Sequence, residues 1–139
     1  MSEESRTPDV VELVRRAIDA SHRGDYDAIM RLFAPDVVWD SLDGLGTFEG
    51  ATAVRGFLEE VTGMFEDFTI KVESVVDLGS GIVYSVYHQE GRVPGSTGFV
   101  TARGVLISEW TDGMVARVIA SEDNDEARAA AERLARELG

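Results

Sequence analysis

The sequence predicts an α+β fold with helices on one face of a curved antiparallel sheet. Three observations carry this. Apolar residues recur at helical spacing through the first part of the chain. From Phe68 onward the period drops to two. Gly79-Ser80-Gly81 and Asp112-Gly113 then punctuate the period-two part as turns.

Residues 1–6 read as a frayed tail. Thr7-Pro8-Asp9 reads as a helix start, with Thr7 as N-cap and Asp9 favoured by the helix dipole. Val10, Leu13, Val14, Ala17 and Ile18 then form one apolar stripe, and Gly24 closes the helix as a left-handed cap. Asp25 caps a short second helix carrying Ile29, Leu32 and Phe33, which Pro35 stops. Val37–Asp40 reads as a strand, Asp43-Gly44 with Gly46 as a loop, and Thr47-Phe48 as a brief strand. A third helix runs from Ala51 to Phe65, with Val54, Phe57, Leu58, Val61 and Phe65 on one face. Strands follow from Phe68, over Ile82–Glu90, Phe99–Thr111 and Met114–Ser121, with a hairpin loop at Gly91–Gly98. Asp123 and Asn124 read as caps of an Ala-rich closing helix from Asp125 to Leu138.

The chain has 139 residues and reads as a single domain over its full length. No window nears the ~18–20 apolar residues of a membrane span. The N-terminus has no hydrophobic signal region, so a soluble, cytoplasmic protein is expected. Without cysteine there is no disulfide, thiolate ligand or thiol nucleophile. A formal net charge of -13 argues against nucleic acid and against an anionic membrane surface as partners. Neither face of the later strands is clearly polar, although a strand with one wet face should alternate. Helices on one face would leave the other to a second copy, which predicts a homodimer through the sheet.

Two stretches, RGDYDAIMRLFAPDVVWD at Arg23–Asp40 and GTFEGATAVRGFLEEV at Gly46–Val61, resemble the nuclear transport factor 2-like superfamily. The SnoaL-like bacterial branch, related to polyketide cyclases and ketosteroid isomerases, is the nearest in pattern. The resemblance continues through ISEWTDGMVARVIASEDNDEARAA at Ile107–Ala130 and covers nearly all of the chain from Val10. It implies a cone-shaped, cystatin-like α+β barrel whose N-terminal helices close a pocket. It does not imply one reaction, since relatives include isomerases, cyclases, epoxide hydrolases, dehydratases and non-catalytic binding or assembly domains.

By this resemblance Asp40 stands where the isomerases carry their general base. A carboxylate in an apolar pocket would suit proton shuttling. The isomerase oxyanion partners are not repeated here: Ala17 falls where their tyrosine would, and Phe99–Trp110 contains no Asp. The Arg-x-Asp pattern of the epoxide hydrolases becomes Arg103-Gly104-Val105, so true ketosteroid isomerase and epoxide hydrolase activities are disfavoured. Arg103 is a mid-strand charge that needs a partner such as Asp40, Glu122 or a ligand. His88 could relay a proton. Asp40, His88 and Arg103 are thus the candidate catalytic set. Trp39, Phe57, Phe65, Tyr84, Trp110 and Glu122 are candidate ligand contacts, with core packing the competing reading of each aromatic. His22 reads as a helix-end residue, and two histidines in separate elements suggest no metal site. The expected ligand is a small apolar or polycyclic molecule, handled without a cofactor. The expected activity is isomerase- or cyclase-type proton transfer, and the alternative is non-catalytic binding or assembly.

Overall fold

Asp9 is the N-cap of the first helix, α1 (Val10–Arg23), with φ -62° and ψ 121° and its carboxylate accepting from the Val11 N–H. A computed structural model describes residues 9–41, 46–122 and 125–138. The expected tail at 1–6, Thr7 as cap, the Asp43-Gly44 loop and the Asp123-Asn124 caps lie outside the described residues. Gly24 closes α1 in the left-handed region at φ 70°. Asp25 caps α2 (Tyr26–Met30) by accepting from the Ala28 N–H.

Several boundaries differ from expectation: the third helix ends at Gly63, short of Phe65, and the strand after it opens at Glu66, ahead of Phe68. Phe33 is not helical but opens β1 (Phe33–Ser41), so Pro35 lies inside a strand. The strand tolerates it because the β1 register shifts between Phe33 and Val38, where proline's missing N–H costs no ladder bond. The remaining elements are β2 (Gly46–Glu49), α3 (Ala51–Gly63), β3 (Glu66–Gly79), β4 (Ile82–Arg92), β5 (Phe99–Thr111), β6 (Met114–Glu122) and α4 (Asp125–Leu138).

The strands form one six-stranded sheet in the order β2-β1-β6-β5-β4-β3. It is not wholly antiparallel, as expected from the hairpins alone. β1 runs parallel to β6, with Trp39 beside Val118 and Asp40 beside Ile119. The chain has built every other strand before β6 arrives, and a connection of that length permits a parallel pair.

The inner face carries α1–α3. Leu13, Val14 and Ile18 of α1, Val54 of α3, and Val37, Trp39, Val83, Trp110 and Val118 of the sheet form its core. The outer face is not left bare. Ala127, Ala131 and Ala135 of α4 pack on Ile82, Tyr84, Val86, Val105 and Ile107. This explains why neither face of these strands reads as polar, and it corrects the premise of the expected dimer: a helix of the same chain already covers much of the second face. Phe99 and Val100, at the start of β5, remain exposed.

Candidate functional site

Helices α1 and α3 and the inner sheet face line a half-open cavity of about 170 Å³. Strand alternation selects its wall. Trp39 and Ser41 of β1 face it, as do Tyr87 and Gln89 of β4, Leu106 of β5 and Ala120 of β6. From the helices come Ala17, Ile18 and Ser21, then Phe57, Leu58, Val61 and Thr62. Phe57 links two further aromatics: it stacks on Phe48 with ring centroids 4.2 Å apart and tilts against Trp39 at 5.9 Å.

Most polar groups at this wall are already engaged. The Trp39 indole N–H donates to the Ser41 hydroxyl at 3.2 Å. Thr62 donates to the Leu58 carbonyl at 2.9 Å, and its hydroxyl also pairs with that of Tyr26. Tyr87 lies over Gly104, where a Cβ would stand 2.6 Å from the phenol oxygen, so only glycine leaves the ring its place. Outside the cavity, His22 Nδ1 accepts the Ile70 N–H at 3.2 Å and ties the end of α1 to β3. Arg55 holds α3 to α2 through Asp27 at 2.7 Å. Its pKa is raised above the ordinary value, first by the hydrogen bond to Asp27 and then by that to Glu59. No Asp, Glu, His, Lys or Arg is among the described lining residues of the cavity.

Asp40 is not in this cavity. It follows Trp39 on a strand, so the two side chains point to opposite faces. Asp40 accepts from the Thr47 hydroxyl at 3.2 Å and borders an open groove of about 930 Å³ between α4 and the outer face. Glu122, Arg117, Glu126 and Arg133 also line that groove, over a floor that includes Ile107 and Ile119.

His88 and Arg103 are cross-strand partners on this same outer face. Arg103 has found its counter-charge in Glu73, at 3.0 Å. Neither residue lines the groove with Asp40. Asp40 is level with Ile119 and Ile107, while Arg103 lies four residues along β5 from Ile107. Strand geometry puts roughly 15 Å between them.

The expected ligand contacts divide in the same way. Trp39 and Phe57 line the inner cavity. Trp110 is buried in the inner core, with its indole N–H donating to Ser108 at 2.9 Å. Phe65 packs over Gly91, where a Cβ would meet it at 2.6 Å. Tyr84 belongs to the outer cluster, with the Arg128 guanidinium 5.2 Å from its ring centroid. Glu122 is in the outer groove.

Sequence reasoning did not single out Ser21, Thr62 or Gln89 as lining residues. The available signal was parity: once Trp39 faces the helices, Asp40 cannot. The corresponding choice on β4 is between Tyr87 with Gln89 and Tyr84 with His88. Among the described residues no cluster of His, Asp and Glu has the geometry to hold a metal ion, and no helix is long and apolar enough to cross a membrane.

The family model of the SnoaL-like domain matches residues 14–118. No curated protein matches the sequence. Several solved structures share the fold. A protein with a ketosteroid isomerase-like fold from Catenulispora acidiphila, in complex with trimethylamine, aligns with TM-score 0.71 and 16% identity over 85% of this chain and 88% of its own. TerC, co-crystallised with polyporic acid, aligns with TM-score 0.71 and 19% identity over 88% of this chain and 97% of its own. An NTF2-like protein of unknown function from Burkholderia pseudomallei aligns with TM-score 0.70 and 21% identity over 85% of this chain and 93% of its own.

Proposed function

We propose that this chain, which belongs to the SnoaL-like domain family, is a binding protein for a small, uncharged, mainly apolar molecule held in the inner cavity. The observation that carries this is the wall itself: apolar and aromatic side chains, a few neutral polar groups, and no charged residue among those described. An ionised ligand would lose its hydration there without a counter-charge.

Size narrows the ligand further. The cavity measures about 170 Å³. An apolar protein cavity of about 150 Å³ takes up benzene, whereas sites for drug-sized ligands run to roughly 300–1,000 Å³. A single ring fits this volume.

Proton transfer by Asp40 draws less support. Its substrate would have to sit in the outer groove, where neither His88 nor Arg103 is among the lining residues. A sheet-to-sheet homodimer would have to use the end of the outer face that α4 leaves open, around Phe99 and Val100.

Toluene titrated into the protein, followed by calorimetry, tests the binding proposal. Saturable heat is expected from the native chain. Ala120→Phe, which fills the cavity from β6, should abolish it while the protein stays folded. No uptake of either toluene or phenol by the native chain, or equal uptake by the filled variant, would refute the reading.

A further inference from the structure

Gln89 is the polar group of the cavity wall that stands out. It lies on β4 between Ile70 of β3 and Ala102 of β5, half-buried, on the inner face. The Ser41 hydroxyl accepts from Trp39 and the Thr62 hydroxyl bonds to Leu58 and Tyr26, while Ser21 adds a hydroxyl from α1. Tyr87 is also engaged. The Gln89 carboxamide is tied to none of the described residues and is not sealed from solvent, and it offers an acceptor oxygen and two N–H donors. The His22 to Ile70 contact brings the last turn of α1 against the strands that carry Gln89, so this end of the cavity is built rather than open loop.

A carboxamide at a mostly apolar wall discriminates by what it leaves unpaired. A ligand with a hydroxyl or carbonyl satisfies it, and a pure hydrocarbon strips its water without replacing it. Being neutral, it gives an ionised group no counter-charge. We propose that Gln89 is the specificity-determining residue of the cavity and that the ligand class is a neutral single-ring molecule bearing one hydroxyl or carbonyl group. This rests on the cavity-binding reading above and adds the polar substituent to it.

The test compares phenol, toluene and benzoate on the native protein and on Gln89→Met, with Gln89→Leu as a second variant. A thioether or isobutyl group fills similar space but can neither donate nor accept strongly. In both variants the ratio of phenol to toluene affinity should fall about tenfold, the size expected for one neutral hydrogen bond. Toluene binding should persist and report that the cavity is intact. Benzoate should bind the native protein at least about tenfold more weakly than phenol, because its carboxylate must be desolvated. An unchanged phenol-to-toluene ratio with both ligands bound would overturn the role of Gln89 and leave the cavity reading standing. Benzoate binding as tightly as phenol would overturn the neutral-ligand class. Failure of the native chain to bind either phenol or toluene would overturn both proposals.

Discussion

The inner and outer faces of the sheet divide the chain's chemistry between them. The inner face collects Trp39, Phe57, Tyr87, Gln89 and Leu106 around a cavity of about 170 Å³ without a charged lining residue. Outside, Asp40 and Arg117 of the sheet, Glu122 at the end of β6, and Glu126 and Arg133 of α4 line a groove of about 930 Å³. Neighbours in sequence are therefore strangers in space: Trp39 and Asp40, or His88 and Gln89, share a strand and nothing else. The larger opening is not the better site. The groove runs beside α4, whose contact side is alanine, whereas the smaller opening lies between two helices and the sheet and has no charged lining residue among those described.

Substitutions on the two faces should separate their roles. The largest effect is expected from Ala131→Glu. Ala131 is fully buried against the outer strands, so the variant forces an unpaired carboxylate under α4. Chemical denaturation should show a loss on the order of 4 kcal/mol or more. A loss below about 1 kcal/mol would mean that α4 does not rest on this face. Next is Trp39→Ala on the inner face, where a buried aromatic is removed and Ser41 loses its donor. About 3–5 kcal/mol should go, with an enlarged cavity that accepts bigger probes.

Gly104→Ala is subtler. The new methyl group would press on Tyr87 from 2.6 Å, yet the nearest atom is the far end of a side chain that can tilt. About 1–3 kcal/mol of stability should be lost, and toluene affinity should change because the ring moves at the wall. Asp40→Asn should do least. Its hydrogen bond to Thr47 is exposed, and its side chain is on the face away from the cavity. Stability should stay within about 0.5 kcal/mol and toluene binding should not change. A large loss of binding in this variant would restore the carboxylate to the centre of the site.

Periodicity and turn chemistry made most of the elements legible before any coordinates. β5 and α4 have the expected limits at Phe99–Thr111 and Asp125–Leu138, and Asp25 and Gly24 cap as their residue types suggest. Phe33 was misplaced because a five-residue helix and an incoming strand have too few apolar positions to show a period. The parallel pairing of β1 and β6 is a long-range contact with no local signature. α4 was legible as a helix, but nothing in its Ala-rich sequence says which surface it covers. That missing fact produced the expectation of an uncovered face.

The site was half legible for a related reason. Alternation says that Trp39 and Asp40 diverge, and it does not say which of them meets the helices. Trp39 and Phe57 both line the inner cavity. The ionisable residues near them in sequence suggested a chemistry that the strand turns outward.

The proposed ligand site is the inner, uncharged cavity and not the outer, charged groove. Chemical-shift mapping of the isotope-labelled protein with toluene tests it directly, because each face has its own reporters. The Trp39 indole N–H, the Gln89 side-chain amide and the backbone of Tyr87 and Leu106 should move and saturate together. Arg117, Glu122, Glu126 and Arg133 should stay where they are. Shifts centred on those four residues, with Trp39 and Gln89 unmoved, would contradict the account.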